Sequence, residues 1–140
     1  EKVLKKLKDK INESDAGNIE GIIGEVLAGK KYKTQIAQFQ VDVFSGSKKV
    51  TEIDWILSNG DLVQVKYKEW VSLTNPKELD EIAKQLINTH SYDPNATIRL
   101  FLPNISSGQI GLLHDELFDV LNNYSNGLDT YAKLVIEGVD

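Results

Sequence analysis

A chain of 140 residues without Cys has no disulfide, thiolate nucleophile or zinc–thiolate site, so stability must come from burial and chemistry from oxygen and nitrogen groups. Sixteen Lys+Arg against 21 Asp+Glu leave a net charge of -5, which argues against a whole-surface nucleic-acid binder. Only Lys84, Arg99 and Lys133 among the cations follow residue 78, so a local basic face in the first half of the chain is compatible with that total.

The length suits one domain over 1–140, and no apolar run approaches the roughly 18 residues needed to span a bilayer; a soluble domain is expected. The chain begins at Glu1 and contains no Met, which fits a piece excised from a longer polypeptide and a trimmed chain equally well. Residues 2–13 place Val3, Leu4, Leu7 and Ile11 on one stripe of an amphipathic helix, with Lys on the solvated face. A second helix over about 18–29 follows the caps Ser14 and Asp15, and Gly17, Gly21, Gly24 and Ala28 form a stripe without bulky side chains. Mid-helix Gly costs about 1 kcal/mol against Ala, so the stripe implies close packing on another backbone, with Glu25 at its edge.

Strands are predicted over 32–44, about 50–58 and about 62–70, with turns at Ser45-Gly46-Ser47 and Asn59-Gly60. Thr74-Asn75-Pro76 opens a helix whose apolar face is Leu79, Ile82, Ala83, Leu86 and Ile87. A strand at 97–102, a helix at 108–123 and a short strand at 131–136 complete the chain. The order implies an α/β (α+β) fold, a mixed central sheet with helices on its faces.

The second and third strands carry the polar residues of interest. A two-residue Asn59-Gly60 loop would mix polar and apolar side chains on both sheet faces. Pairing Ile53 with Tyr67, Trp55 with Val65 and Leu57 with Val63 instead gathers six apolar side chains on one face, and burial at roughly 25 cal/mol per Å² favours it. The opposite face then holds Asp54 across from Lys66, with Gln64 beside them, closed by a three-residue Asn59-Gly60-Asp61 loop or a local bulge. Asp54, Glu25, the Gln64 oxygen and the Val65 carbonyl are suitable ligands for an oxophilic divalent cation, and Lys66 could orient or deprotonate a water.

Glu25 in Gly24-Glu-Val-Leu-Ala28, Asp54 in Glu52-Ile-Asp-Trp55, and Gln64-Val-Lys66 resemble the motif of the PD-(D/E)xK nuclease superfamily, over about residues 18–102. The resemblance implies a restriction-endonuclease-like αβββαβ core, with the N-terminal helix and the C-terminal α-β elements as additions. It assigns metal binding to Glu25, Asp54 and Gln64 and catalysis to these three with Lys66. It also implies a divalent metal, Mg²⁺ first and Mn²⁺ or Zn²⁺ next, and a nucleic-acid substrate, DNA ahead of RNA or tRNA. Gln64 departs from the family's usual acid, and no Pro precedes Asp54. Among relatives, the chain looks most like the C-terminal nuclease domains of contact-dependent growth inhibition and other bacterial polymorphic toxins. Those imply delivery from the secreting cell, action in the target-cell cytoplasm and a cognate immunity protein.

Blander readings stand beside these. Asp54 and Lys66 could form an ordinary cross-strand ion pair, and the whole sheet could serve a noncatalytic binding module. Lys31, Lys33, Lys48 and Lys68 are the candidate phosphate contacts, although each alone reads as a solvated cation. Asp42 is a candidate extra ligand, Trp70 and Tyr67 are candidates for base stacking, and His90 and His114 read as structural.

Overall fold

The first three strands form a ribbon that grows out of two turns that the sequence marks with glycine. In the computed structural model, which describes residues 19–138, β1 (Ile36–Ser45) and β2 (Lys48–Leu57) pair antiparallel, and β2 pairs antiparallel with β3 (Leu62–Val65). Strands β4 (Ile98–Phe101) and β5 (Leu134–Glu137) add in parallel, giving a five-stranded mixed sheet in the order β1-β2-β3-β4-β5. The helices are α1 (Ile19–Tyr32), α2 (Trp70–Leu73), α3 (Pro76–Tyr92), α4 (Ser107–Leu121) and α5 (Gly127–Ala132). The amphipathic segment 2–13 and Gly17 of the small-residue stripe lie outside the described residues.

Helices cover both faces of the sheet. On one, Ala28 and Tyr32 of α1 pack with Phe39, Trp55, Leu57, Val63 and Phe101. On the other, Leu79, Ile82 and Leu86 of α3 and Leu113 and Leu117 of α4 pack with Ile98, Leu100, Leu134 and Ile136. Helix α3 starts where its capping signal predicts, with the Asn75 side chain accepting from Lys77 N–H and Pro76 in the first turn. Ser106 and Gln109 close α4 with a reciprocal capping box. No helix of the described residues is long and apolar enough to cross a membrane.

Element boundaries differ from the sequence reading in four places. Helix α1 runs on to Tyr32, because Lys30 and Lys31 in its last turn complement the helix dipole and Tyr32 is buried against Phe101. Strand β3 ends at Val65, not near residue 70; Lys66 N–H adds one more bond to Phe101 C=O, after which the chain leaves the sheet for α2. The expected strand at 131–136 starts only at Leu134, since α5 occupies 127–132 and buries Thr130. Alternation could not reveal so short a helix.

The fourth difference is the β2–β3 register. Trp55 pairs with Val63 and Ile56 with Leu62, two residues away from the expected pairing. The loop has three residues, as expected, but they are Ser58-Asn59-Gly60, closed by Leu57 N–H donating to Asp61 C=O at 2.9 Å. Gly60 has φ +94°, so it takes the last loop position, where a left-handed residue is favoured. Asp61 is thereby released from the loop to meet Arg99 at 2.7 Å. A shift of two keeps each residue's face, so Gln64 still lies on the face of Ile56 and Leu62. The same register extended by one pair sets Asp54 level with Gln64 rather than Lys66.

The hairpin also changes faces partway along. Trp55 and Phe39 pack toward α1, whereas Ile53, Val43 and Val41 pack in a separate cluster with Ile56 and Leu62. The six-residue apolar face expected from Ile53 to Tyr67 therefore loses Ile53 to the other side.

Candidate functional site

Four elements meet at the end of β3. Gly24 of α1 lies so close to the strand that an added Cβ would stand 3.1 Å from both Val65 Cγ1 and Tyr67 Cβ. That close approach is what the small-residue stripe predicts, and it brings Glu25 to 5% exposure. Gly21, by contrast, faces open space, so the stripe is a contact surface only around Gly24 and Ala28 among the described residues.

Asp54 on β2 accepts a hydrogen bond from Val65 N–H, 2.8 Å from Oδ2. A side chain has taken the donor that a regular ladder would give to a backbone carbonyl. Burial is the main cause that pushes the Asp54 carboxyl up to about 7, and the negative charges of Glu25 and Glu52 raise it further. The Val65 N–H and the Lys66 ammonium act in the opposite direction. Asp54, Glu25 and Lys66 thus come from three elements and interact electrostatically in one place. Burial lowers the Lys66 ammonium from its ordinary range, while Glu78, Asp54 and Glu81 pull it back up.

Gln64 is fully buried and its amide is oriented by three partners. Its Nε2 donates to Glu52 C=O and to Thr89 Oγ1, both at 2.9 Å, and its Oε1 accepts from Gln85 Nε2 at 3.2 Å. Thr89 in turn donates to Gln85 C=O at 2.7 Å, which fixes its oxygen as the acceptor of the Gln64 N–H. One Gln64 N–H is therefore used on β2 and the other in joining the sheet to α3, and the second lone pair of Oε1 is the part of the amide left for another partner. An ionised Glu or Asp here could not donate to the Glu52 carbonyl. This is a physical reason for the amide where the family pattern has an acid.

Helix α3 supplies residues that the sequence reading missed. Glu78 and Glu81 act on the Lys66 charge, and Gln85 and Thr89 hold Gln64. Their spacing carries a signal: 78, 81, 85 and 89 form a polar stripe at helical period alongside the apolar face of α3. Lys68 pairs with Glu78 and lies with Ser72, Asn75, Lys77 and Glu81 around an open cleft of about 400 Å³. Since Lys68, Glu78 and Glu81 all act on Lys66, this cleft opens beside the candidate site.

The other predicted cations are elsewhere. Lys31 lies 3.9 Å from Glu137 and over the Phe101 ring, within a cluster in which Arg99 bridges Asp61 and Glu137 and Tyr32 donates to Glu137. Lys33 and Lys48 are exposed, at the end of α1 and at the β1–β2 turn. Asp42 is exposed and pairs with Lys49 at 3.0 Å, at the hairpin rather than at the site. Trp70 packs against the core that α3 and α4 share. His114 stacks edge-on against Tyr131, and His90 is buried on α3.

Among the described residues no three His, Cys, Asp or Glu side chains converge as a metal-holding group. A cation at this place would rest on Glu25 and Asp54 with neutral oxygens. The charge pattern suits one, because the negative charge of Glu25 opposes ionisation of the buried Asp54, and a positive charge beside them relieves that opposition. Neither a protein-family model, nor a curated protein, nor a solved structure matches the chain.

Proposed function

We propose that this domain is a metal-dependent phosphodiesterase acting on nucleic acid, with a PD-(D/E)xK-like core and the part of an antibacterial toxin effector. The observation that carries the reading is the meeting of Glu25, Asp54 and Lys66, from α1, β2 and the end of β3, with Asp54 pushed up to about 7 by burial and by Glu25. Structural ion pairs gain from mutual attraction; here the two carboxylates repel, which is the arrangement a bound cation reverses.

Glu25 and Asp54 would hold the divalent ion, Mg²⁺, Mn²⁺ or Zn²⁺, with Gln64 Oε1 as the neutral donor that the resemblance assigns there. The ion when bound would acidify a water and offset charge on the phosphoryl oxygens. Asp54 must be ionised to take part, and its negative charge favours Lys66 as an ammonium. Lys66, half-buried and lowered in pKa, can give up or share a proton with a water and can contact a phosphate oxygen. Lys68, in the cleft beside it, is the nearest of the predicted phosphate contacts, whereas Lys31 is engaged in the Glu137 cluster.

The test is a nuclease assay on plasmid DNA and total tRNA with each metal. Asp54→Ala and Lys66→Ala abolish cleavage while far-ultraviolet circular dichroism stays unchanged; full cleavage by both variants would sink the assignment. The second reading, a noncatalytic binding module, draws on the lack of a third carboxylate among the described residues. Calorimetry separates the two, since a module shows no divalent-ion binding that depends on Glu25 and Asp54. As a toxin, the domain would bind a dedicated immunity protein.

A further inference from the structure

The face change in the β1–β2 hairpin has a single location. In an unbroken strand, residues two apart share a face, so Phe39, Val41 and Val43 belong together, as do Ile53 and Trp55. Here Phe39 and Trp55 pack with Ala28 and Tyr32 of α1, while Val41, Val43 and Ile53 pack with Ile56 and Leu62 on the other side. The switch therefore falls between 39 and 41 on β1 and between 53 and 55 on β2. Gln40 and Asp54 occupy those two places, opposite each other between the pairs Phe39–Trp55 and Val41–Ile53. The ladder has partners on both sides of them and none at this step.

Gln40 has φ +53°, in the left-handed region that L side chains other than Asn and Asp rarely adopt. Such a residue inside a strand reverses the alternation of side chains beyond it. Asp54 would otherwise share the α3 face with Ile56 and Gln64. At the switch it bonds instead to Val65 N–H and lies within electrostatic reach of Glu25 on α1.

We propose that Gln40 is a positioning residue: its left-handed backbone turns the hairpin over at Asp54 and so delivers that carboxylate to Glu25 and to the Val65 amide. The inference rests on Asp54 being the working carboxylate of the site, but its placement is measurable without any activity. A backbone conformation this unfavourable, in the interior of a strand and directly opposite the candidate carboxylate, is held by the surrounding packing and is the kind of strain found where geometry serves a site.

The experiment is NMR observation of the Val65 amide proton, its chemical shift and its hydrogen-exchange protection at one fixed pH, in the full chain, for wild type, Gln40→Gly, Gln40→Ala and Gln40→Val. Glycine accepts positive φ freely, so Gln40→Gly keeps the wild-type Val65 amide shift and exchange protection. Valine is the poorest occupant of that region, so Gln40→Val relaxes β1 toward a regular strand. The Val65 amide proton then loses its carboxylate acceptor, moves upfield and exchanges faster. If Gln40→Val does not fold, Gln40→Ala is read for the same displacements in smaller measure. A folded variant that loses stability yet keeps both wild-type values shows a merely structural role and overturns the proposal. An inactive wild type with these displacements present overturns the nuclease reading and leaves the positioning role standing.

Discussion

Replacing Gln64 by Glu restores the acid that the resemblance leads one to expect, and the structure requires that it weaken the fold. Gln64 is fully buried and donates to two acceptors, Glu52 C=O and Thr89 Oγ1, each at 2.9 Å. An ionised carboxylate would set oxygen against oxygen at both contacts, so the introduced group stays protonated. Holding a Glu carboxyl neutral at pH 7 costs about 3.7 kcal/mol against its ordinary pKa near 4.3, at about 1.36 kcal/mol per pH unit. One O–H replaces two N–H donors, so one acceptor is left unmet, adding about 1 kcal/mol or more. The sum, about 5 kcal/mol, compares with total stabilities of about 5–15 kcal/mol for domains of this kind. With a urea slope near 2 kcal/mol/M, the midpoint of Gln64→Glu falls by about 2.5 M at pH 7. An acid whose folded pKa is raised carries a penalty that grows as pH rises from the unfolded pKa and levels off at the folded pKa, so here it shrinks as pH falls toward the unfolded value. At pH 5 the protonation cost is about 1 kcal/mol, and the gap to wild type narrows to about 2 kcal/mol. Urea unfolding at both pH values checks this. A midpoint at pH 7 within about 0.3 M of wild type, or a gap that does not close on acidification, refutes the bonding assigned to Gln64.

Asp54 offers a second pH test, since its carboxyl is pushed up to about 7, chiefly by burial. Its ionisation destabilises the fold as pH rises from about 4 to 7, by at most about 4 kcal/mol in total. Asp54→Asn keeps an oxygen for the Val65 N–H without the charge, so it matches wild type near pH 4, is the more stable protein at pH 8 and is inactive; equal urea midpoints at pH 8 would remove the basis of this claim. For the nuclease reading, cleavage by wild type rises with pH through about 7 as Asp54 ionises, and a flat profile from pH 5 to 8 speaks against Asp54 as a ligand. Mn²⁺ raises the melting temperature of wild type but not of Glu25→Gln, as scanning fluorimetry would record. Gly21→Ala stabilises by about 1 kcal/mol through helix propensity, because nothing lies near its Cβ. Gly24→Ala gives up part or all of that gain, because its Cβ meets Val65 and Tyr67 at 3.1 Å, so its chemical-denaturation midpoint lies below that of Gly21→Ala.

Much of the frame was legible in the residues themselves. Asn75-Pro76 predicts the start of α3, the apolar period of 79–86 predicts its buried face, and Asn59-Gly60 marks a hairpin with a three-residue loop. These are short-range signals: a cap, a missing N–H, a backbone that tolerates positive φ. Glycine spacing in α1 likewise anticipates its approach to β3 at Gly24 and the burial of Glu25. Asp54 and Lys66 could be named because alternation along the second and third predicted strands exposes them as polar positions among apolar ones, and Glu25 because it borders the small-residue stripe.

What tertiary structure decided was how those residues face one another. Two registers that differ by two residues bury the same side chains, so alternation could not choose between them, and Gly60 at the end of the loop did. The turnover at Gln40 and Asp54 leaves no mark in composition, because a Gln in a strand gives no local hint of a left-handed backbone; it follows from α1 and α3 claiming opposite halves of one hairpin. Gln64 reads in the sequence as a metal donor and in the fold as a bracket to Gln85 and Thr89, since one of its N–H groups and its Oε1 find these partners only once α3 is laid on the sheet. Local chemistry is written residue by residue, but the direction of a side chain depends on contacts between segments far apart in the chain, and those exist only when the core has closed.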